Sequence, residues 1–423
     1  MIDLAAHLQI ERLGQRGEGI AQGLGGLIFV PYALAGETIL AEVDGTRGRL
    51  VEVLIPSPER IAAFCPHYGT CGGCAVQTLA APAYAAWKRS LLVEALRHVK
   101  ITADVGELVD AHGKGRRRAS FHARYDDRGK AKVGFMQARA HDIVELDSCP
   151  ILAPSMDGAI AAARALATAL KASQKPLDIA VTATLSGLDI DIRGHGPLDD
   201  AATQRLIRVA ELHDLARLCN HGQRLIERRA PILRMGRAEV CPPPGAFLQA
   251  TEAGEEALAA GVGHALGGAR KIADLFAGLG TFTLRLAESA RVHAVDFEET
   301  SLTALMKAAR ATAGLHDVTI ERRDLIRRPL EANELAAYDA VVFDPPRAGA
   351  EAQAKAFAGS AVRLVVAVSC NVQSFARDAA LLCAGGYEIS SLTPFDQFRH
   401  SPHVEIIGVF RRPAPSRRRK LLG

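Results

Sequence analysis

Two settings among the eight cysteines of this 423-residue chain could carry chemistry. In Cys65-Pro-His-Tyr-Gly-Thr-Cys71-Gly-Gly-Cys74, a C-x5-C-x2-C spacing sets three soft ligands on one tight loop, and the glycines let the backbone wrap around a metal centre. Cys149, in Asp147-Ser-Cys-Pro150, can close a tetrahedral set. Four thiolates suit an iron–sulfur cluster or zinc. Zinc sites commonly use two close-spaced pairs, so three clustered ligands plus a distant one followed by proline favour the cluster. The second setting is Cys370, near the end of the apolar run Arg363-Leu-Val-Val-Ala-Val-Ser-Cys-Asn371. A thiol there is either a small buried hydrophobe or a nucleophile. The irregular spacing of the eight, in a long chain without a charged leader, argues against a disulfide framework.

The elements that must position Cys370 lie after about Cys241, where the pattern alternates strand and helix. The run before Cys370 reads as a strand buried on both faces, and in open α/β sheets ligands collect where such strands end. Lys271-Ile-Ala-Asp-Leu-Phe-Ala-Gly-Leu-Gly280 is a strand followed by a glycine turn that admits a ligand to a helix N-terminus. The turn, Gly278-Leu-Gly280, lacks the third glycine of the dinucleotide fingerprint, leaving a nucleotide oxidoreductase as a competing reading. Asp296, Asp324 and Asp344 follow at the ends of further expected strands, and together with the glycines they suit an adenosyl group. Each aspartate alone is equally a helix cap. Asp344-Pro-Pro-Arg347 is a motif of methyltransferases acting on planar nitrogen-bearing rings. An amine target needs no nucleophile, whereas carbon 5 of a pyrimidine becomes a methyl acceptor only after a thiolate adds to carbon 6, and a base must then remove its hydrogen. Cys370 meets the first requirement. Glu405, at the start of a late strand, meets the second unless it is merely structural.

Upstream, residues 1–56 show five short apolar runs between glycine turns, the signature of a small barrel of the kind that binds oligonucleotides. Residues 83–240 read as a mixed α+β module with a helix from Tyr84, strands near Arg118–Tyr125, Lys132–Met136 and Leu188–Ile192, and an alanine-rich helix near 156–171. Net charge is only +4. Cations crowd one segment (Lys114, Arg116, Arg117, Arg118, Arg124, Arg128, Lys130, Lys132, Arg139) and the tail (Arg411, Arg412, Arg417, Arg418, Arg419, Lys420). Phe121, Tyr125 and Phe135 interleave with the first group, a pattern able to stack bases unless the rings are core. The histidines, His122 and His141 among them, read as structural, and the tail as disordered. No apolar stretch approaches the length of a membrane span, so a cytoplasmic protein is expected.

Taken together, Asp274-Leu-Phe-Ala-Gly-Leu-Gly-Thr-Phe-Thr-Leu284, Asp344-Pro-Pro-Arg-Ala-Gly349, Val368-Ser-Cys-Asn371 with Ala376-Arg-Asp378, and His403-Val-Glu405 resemble the RNA (uracil-5-)-methyltransferase family. The cysteine quartet and barrel resemble its iron–sulfur, TRAM-containing 23S ribosomal RNA branch. The resemblance implies that Cys370 is the nucleophile and Glu405 the base. It places S-adenosylmethionine against Gln249, Phe276, Gly278, Gly280, Thr281, Asp296, Asp324 and Asp344, and a 4Fe-4S cluster on Cys65, Cys71, Cys74 and Cys149, organising RNA binding and folding rather than transferring electrons. Thr281 stands where the family usually has Asn, Val372 where it has Pro, and Arg399 where Phe-Pro precedes the base. These departures bear on the target nucleotide more than on the reaction.

The expected architecture is multidomain α/β: an OB/TRAM-like barrel (1–56), the cysteine loop (57–82), a central α+β RNA-binding domain (83–240) and a Rossmann-like S-adenosylmethionine methyltransferase domain with a basic tail (241–423). The expected activity is methylation of carbon 5 of a uridine in 23S rRNA or its precursor, with no membrane association and no obligate protein partner. Two alternatives stand beside it. A 5-methylcytidine methyltransferase is disfavoured because RNA enzymes of that kind place Cys where Pro346 stands. A catalytically silent RNA-binding or assembly factor is disfavoured by the intact Cys370 and Glu405.

Overall fold

The structure, a computed structural model, describes residues 6–413 apart from 139 and 141. Arg139, His141 and the tail cations Arg417, Arg418, Arg419 and Lys420 therefore lie outside the described residues.

Five strands, Ala6–Leu13, Gly19–Gly23, Gly26–Val30, Thr38–Asp44 and Arg47–Ile55, close into a barrel. Its core of Leu8, Ile10, Ile28, Val30 and Ile39 comes from the inward half of alternating strands. A seven-stranded sheet in the middle of the chain is covered by the helices Ala159–Ala169 and Asp200–Leu212. In its Arg118–Tyr125 strand, Phe121 and Ala123 face the core, and Phe121 stacks on Phe135 at 5.4 Å. The Tyr125 hydroxyl donates to the Ala167 carbonyl of the covering helix at 2.7 Å. Base stacking by Phe121 and Tyr125 is thereby corrected: strand alternation turns these rings inward, and only Phe135 of the three borders open space.

The C-terminal sheet carries the site. Five parallel strands run in the order Val318–Arg322, Arg291–Asp296, Lys271–Leu275, Ala340–Phe343, Leu364–Ser369. The chain reverses its direction of sheet-building between the third and fourth, which opens a crevice beyond their carboxyl ends. Leu364–Ser369 is buried at every residue, as a strand covered on both faces must be. Glu405–Arg411 then inserts antiparallel beside it, with Ser369 opposite Ile406. An antiparallel strand begins where its parallel neighbour ends. Cys370 is the next residue after that pair on one strand and Glu405 the residue before it on the other, and the charge of Glu405 acts on the Cys370 thiol.

Two pieces from the expected central segment join this half instead. Val109–Asp110 adds an eighth strand at the sheet edge, and helix Ala81–His98 packs Trp87, Leu91 and Leu92 against Phe375 and Leu382. No helix among the described residues is long and apolar enough to cross a membrane.

Candidate active site

Cys370 follows its strand directly, half-buried, and Asn371 caps the next helix by accepting from the Gln373 and Ser374 amides. That cap fixes the turn that carries the thiol. Burial pushes the Cys370 thiol up to about 11, helped by the negative charges of Glu405 and Asp344 and opposed by Arg347. Glu405 is 2% exposed. Burial raises it to about 7, against the pull of a hydrogen bond from Gln397 and the charges of Arg118, Arg347 and Lys88. Asp344, at the end of the neighbouring strand, is raised to about 8 by burial and by Glu405, and opposed by a hydrogen bond from Gln249 at 3.2 Å. A thiol and two carboxyls thus converge on one crevice, with the carboxyl protons held near neutral pH.

The adenosyl side is built from the turn after Lys271–Leu275. Phe276 sits in the left-handed region (φ 62), a conformation few aromatic residues adopt and one that tertiary packing must hold. A Cβ on Gly280 would stand 2.8 Å from the Leu305 side chain, so this glycine lets the turn close on the helix behind it. A Cβ on Gly278 would meet nothing, and its side of the loop is open. Asp296 Oδ2 accepts the Gly278 amide at 2.9 Å and Oδ1 the Glu298 amide at 2.8 Å, which fixes the carboxylate at the rim with lone pairs to spare. Asp324 caps the next turn through the Ile326 and Arg327 amides. Its capping reading is therefore satisfied, and its place beside Asp296 adds to the same rim. Thr281, half-buried, lies on the turn itself.

Several residues to which the sequence assigned no catalytic or cofactor role complete the site. The Arg118 guanidinium lies 4.8 Å from the ring of Phe247, which is 66% exposed. Arg347 Nη2 stands 2.7 and 2.8 Å from the two ring nitrogens of His403. Burial and Arg347 hold that imidazole down at about 4, so it faces the cation as a neutral acceptor. Arg117 turns inward to a buried ion pair with Glu255, whereas Lys114, Arg128, Lys130 and Lys132 of the same basic run are exposed. For Arg117 and Phe247 no local signal in the chain distinguishes these roles.

The cysteine quartet forms a second centre. Cys65, Cys71, Cys74 and Cys149 all line one cavity of about 240 Å³, together with Tyr68 and Arg116. All eight cysteines are free thiols. The loop is anchored on the central sheet by the Gly72 amide donating to the Met136 carbonyl at 3.0 Å. From the other side, the Ala75 amide donates to the His400 carbonyl at 2.7 Å, tying the loop to the segment that leads into Glu405. Between barrel, cysteine loop and active site runs a cleft of about 1160 Å³, bordered by Arg16, Arg49, Arg116, His122, Phe135 and His403.

Known proteins resemble this chain in sequence and in fold. The sequence model described as tRNA (Uracil-5-)-methyltransferase matches residues 265–412. Over 407 residues the chain is 45% identical to an uncharacterized RNA methyltransferase of Agrobacterium fabrum, covering 95% of this chain and 98% of the relative. It is 34% identical over 440 residues to the 23S rRNA (uracil(1939)-C(5))-methyltransferase RlmD of Chromohalobacter salexigens, covering 96% and 90% of the two. Its fold is similar to that of a solved Pyrococcus abyssi tRNA (uracil-54, C5)-methyltransferase in complex with S-adenosyl-L-homocysteine, with a TM-score of 0.74 at 22% identity over 96% of this chain and 99% of the other. The chain belongs to the RNA uracil-5-methyltransferase family.

Proposed function

We propose that this enzyme methylates carbon 5 of a uridine in 23S rRNA or its precursor, with Cys370 as nucleophile and Glu405 as base. The observation that supports this reading is that Cys370 and Glu405 adjoin the Ser369–Ile406 pair at neighbouring ends of two hydrogen-bonded strands, with the Glu405 charge acting on the thiol. The Cys370 thiolate bonds to carbon 6 of the ring and pushes an electron pair through carbon 5 onto the carbonyl oxygen. Carbon 5 then takes the methyl group from the sulfonium as the sulfur–methyl bond breaks, its electron pair staying on sulfur as a neutral thioether. Glu405 removes the carbon-5 proton, the electron pair re-forms the ring double bond, and the thiolate leaves. S-adenosylmethionine supplies the methyl on a sulfonium. Phe276, Gly278, Gly280, Thr281, Asp296 and Asp324 are the residues proposed to hold its adenosyl part, with Gln249 and Asp344 closing the side toward Cys370. The resemblance to a 23S rRNA enzyme over nearly the whole length supports the choice of RNA. Incubation of unmodified RNA with methyl-labelled S-adenosylmethionine is expected to yield 5-methyluridine. Label only in 5-methylcytidine or on a purine nitrogen overturns the assignment.

The division into a TRAM-like barrel (1–56), cysteine loop (57–82), central RNA-binding module (83–240, apart from the helix Ala81–His98 and the strand Val109–Asp110 that join the catalytic sheet) and methyltransferase domain (241–423) is part of the same proposal, as is a cytoplasmic setting where ribosomal RNA is made. So is a 4Fe-4S cluster on Cys65, Cys71, Cys74 and Cys149. Four thiols spread around a cavity suit a polynuclear centre, and Arg116 beside them suits its negative charge. Anaerobically purified protein is expected to contain iron and sulfide, both lost in Cys149→Ser. One equivalent of zinc alone rejects the cluster.

A further inference from the structure

Gln397 is 1% exposed and immediately follows the strand Glu388–Asp396, whose Phe395 pairs with Glu405. Its Oε1 accepts the backbone amides of Ala250 at 2.8 Å and Thr251 at 3.4 Å. Two backbone donors fix which end of the side-chain amide is oxygen, and the NH2 end is left for two acceptors. These are Gln249 Oε1 at 2.6 Å and Glu405 Oε1 at 2.9 Å. Gln249 in turn donates to Asp344. Hydrogen-bond direction therefore runs outward from the backbone through Gln397 to the carboxyls.

We propose that Gln397 is a positioning residue that keeps Glu405 ionised and aimed, by donating to Oε1 and leaving Oε2 for the carbon-5 proton. The proposal rests on Glu405 being the base. Among the described residues Gln397 makes the one hydrogen bond to that carboxyl. The other groups facing Glu405 act through charge: Arg118 from the central sheet, Arg347 after the Ala340–Phe343 strand and Lys88 from the Ala81–His98 helix favour ionisation, while Asp344 and a Cys370 thiolate oppose it. A donor that can only donate favours the charged carboxylate over the acid. Being neutral, it does so without the field of another cation, which would weaken the base. The amide thus settles which of two adjacent buried carboxyls carries charge: Glu405 receives the anchored donor directly, Asp344 only through Gln249.

Gln397→Met removes the donor. Gln397→Glu keeps size and the acceptor for the Ala250 amide but places a third carboxyl against Glu405. In both, the rising limb of kcat against pH is expected to move at least one unit upward, a loss of about fivefold or more at pH 7 that is regained at higher pH. KM for RNA should change less than about twofold, and a covalent protein–RNA adduct should accumulate at neutral pH and discharge when pH is raised. A loss of equal size at every pH, or no adduct, shows a purely structural role and sinks the proposal. If Gln397→Met does not fold, Gln397→Glu decides alone, and failure of that isosteric variant to fold also counts against it. Glu405→Gln, run in parallel, keeps the two claims apart. Normal turnover there defeats the base assignment, while a trapped adduct there with unshifted Gln397 variants defeats only the role of Gln397.

Discussion

Cys370 and Glu405 divide the reaction between them, and their variants should separate its halves. Cys370→Ala is expected to form no covalent adduct with 5-fluorouridine RNA. Glu405→Gln should form the methylated adduct and fail to release it, with turnover reduced on the order of 10²–10⁴-fold, as for loss of a general base. Denaturing gels with labelled RNA distinguish the two. The same carboxyls have a signature in stability. Glu405 and Asp344 are raised in the fold to about 7 and about 8 from 4.5 and 3.8, so above pH 4 the folded chain holds protons that the unfolded chain has released. The stability they contribute is whole below about pH 4 and is lost as pH rises to about 8. Glu405→Gln should therefore melt above the parent protein at pH 8.5, with the gain shrinking toward pH 5. At this scale the chain was partly legible. Three thiols packed into ten residues can be read from spacing, whereas Glu405 is one carboxylate among many until its neighbours are known.

The elements around the site are clamped by interactions that no local pattern announces. Lys88, on the Ala81–His98 helix, donates to Asp396 at 2.9 Å, to the Phe398 carbonyl at 3.3 Å and to the His403 carbonyl, and is fully buried. Tyr84, one turn earlier, donates to the other Asp396 oxygen at 2.6 Å and accepts the His400 amide at 2.9 Å. The helix thus grips both ends of the segment from Asp396 to His403 that delivers Glu405. Lys88→Met leaves Asp396 buried without its cation and should cost about 3–5 kcal/mol. It is checked by the urea midpoint, with Asp396→Asn added on top expected to return part of the loss. The helix itself was readable from its spacing. Its docking on the catalytic sheet was not, because the partners Lys88 and Asp396 lie 308 residues apart.

Across the whole molecule, the cleft makes the barrel, the cysteine loop, the central sheet and the loop Ser401–His403 ahead of Glu405 into one surface. Arg16 and Arg49 stand on its barrel wall, where Arg49 also donates to Glu42 at 2.9 Å. If they neutralise phosphates, replacing both with Ala should weaken RNA binding and flatten the dependence of log affinity on log salt by about 0.7–0.9 for each phosphate left without its arginine. Titrations from low to physiological salt measure that slope, and an unchanged slope removes the barrel wall from the RNA path. The even balance of charge over the chain did not disclose this, since the cations that matter are selected by where they face. Arg117 belongs to the same basic run as Arg116 and is spent on Glu255. By itself the sequence determined which chemistry was within reach: soft ligands in a cluster, a thiol at a strand end, a glycine turn with carboxylates after successive strands. These are set by residue type and by spacings of a few residues, where the backbone leaves little freedom. The tertiary structure decided which carboxyl meets the thiol, which amide orients it and which arginines are free, because those pairings depend on strand order and register between segments far apart in the chain.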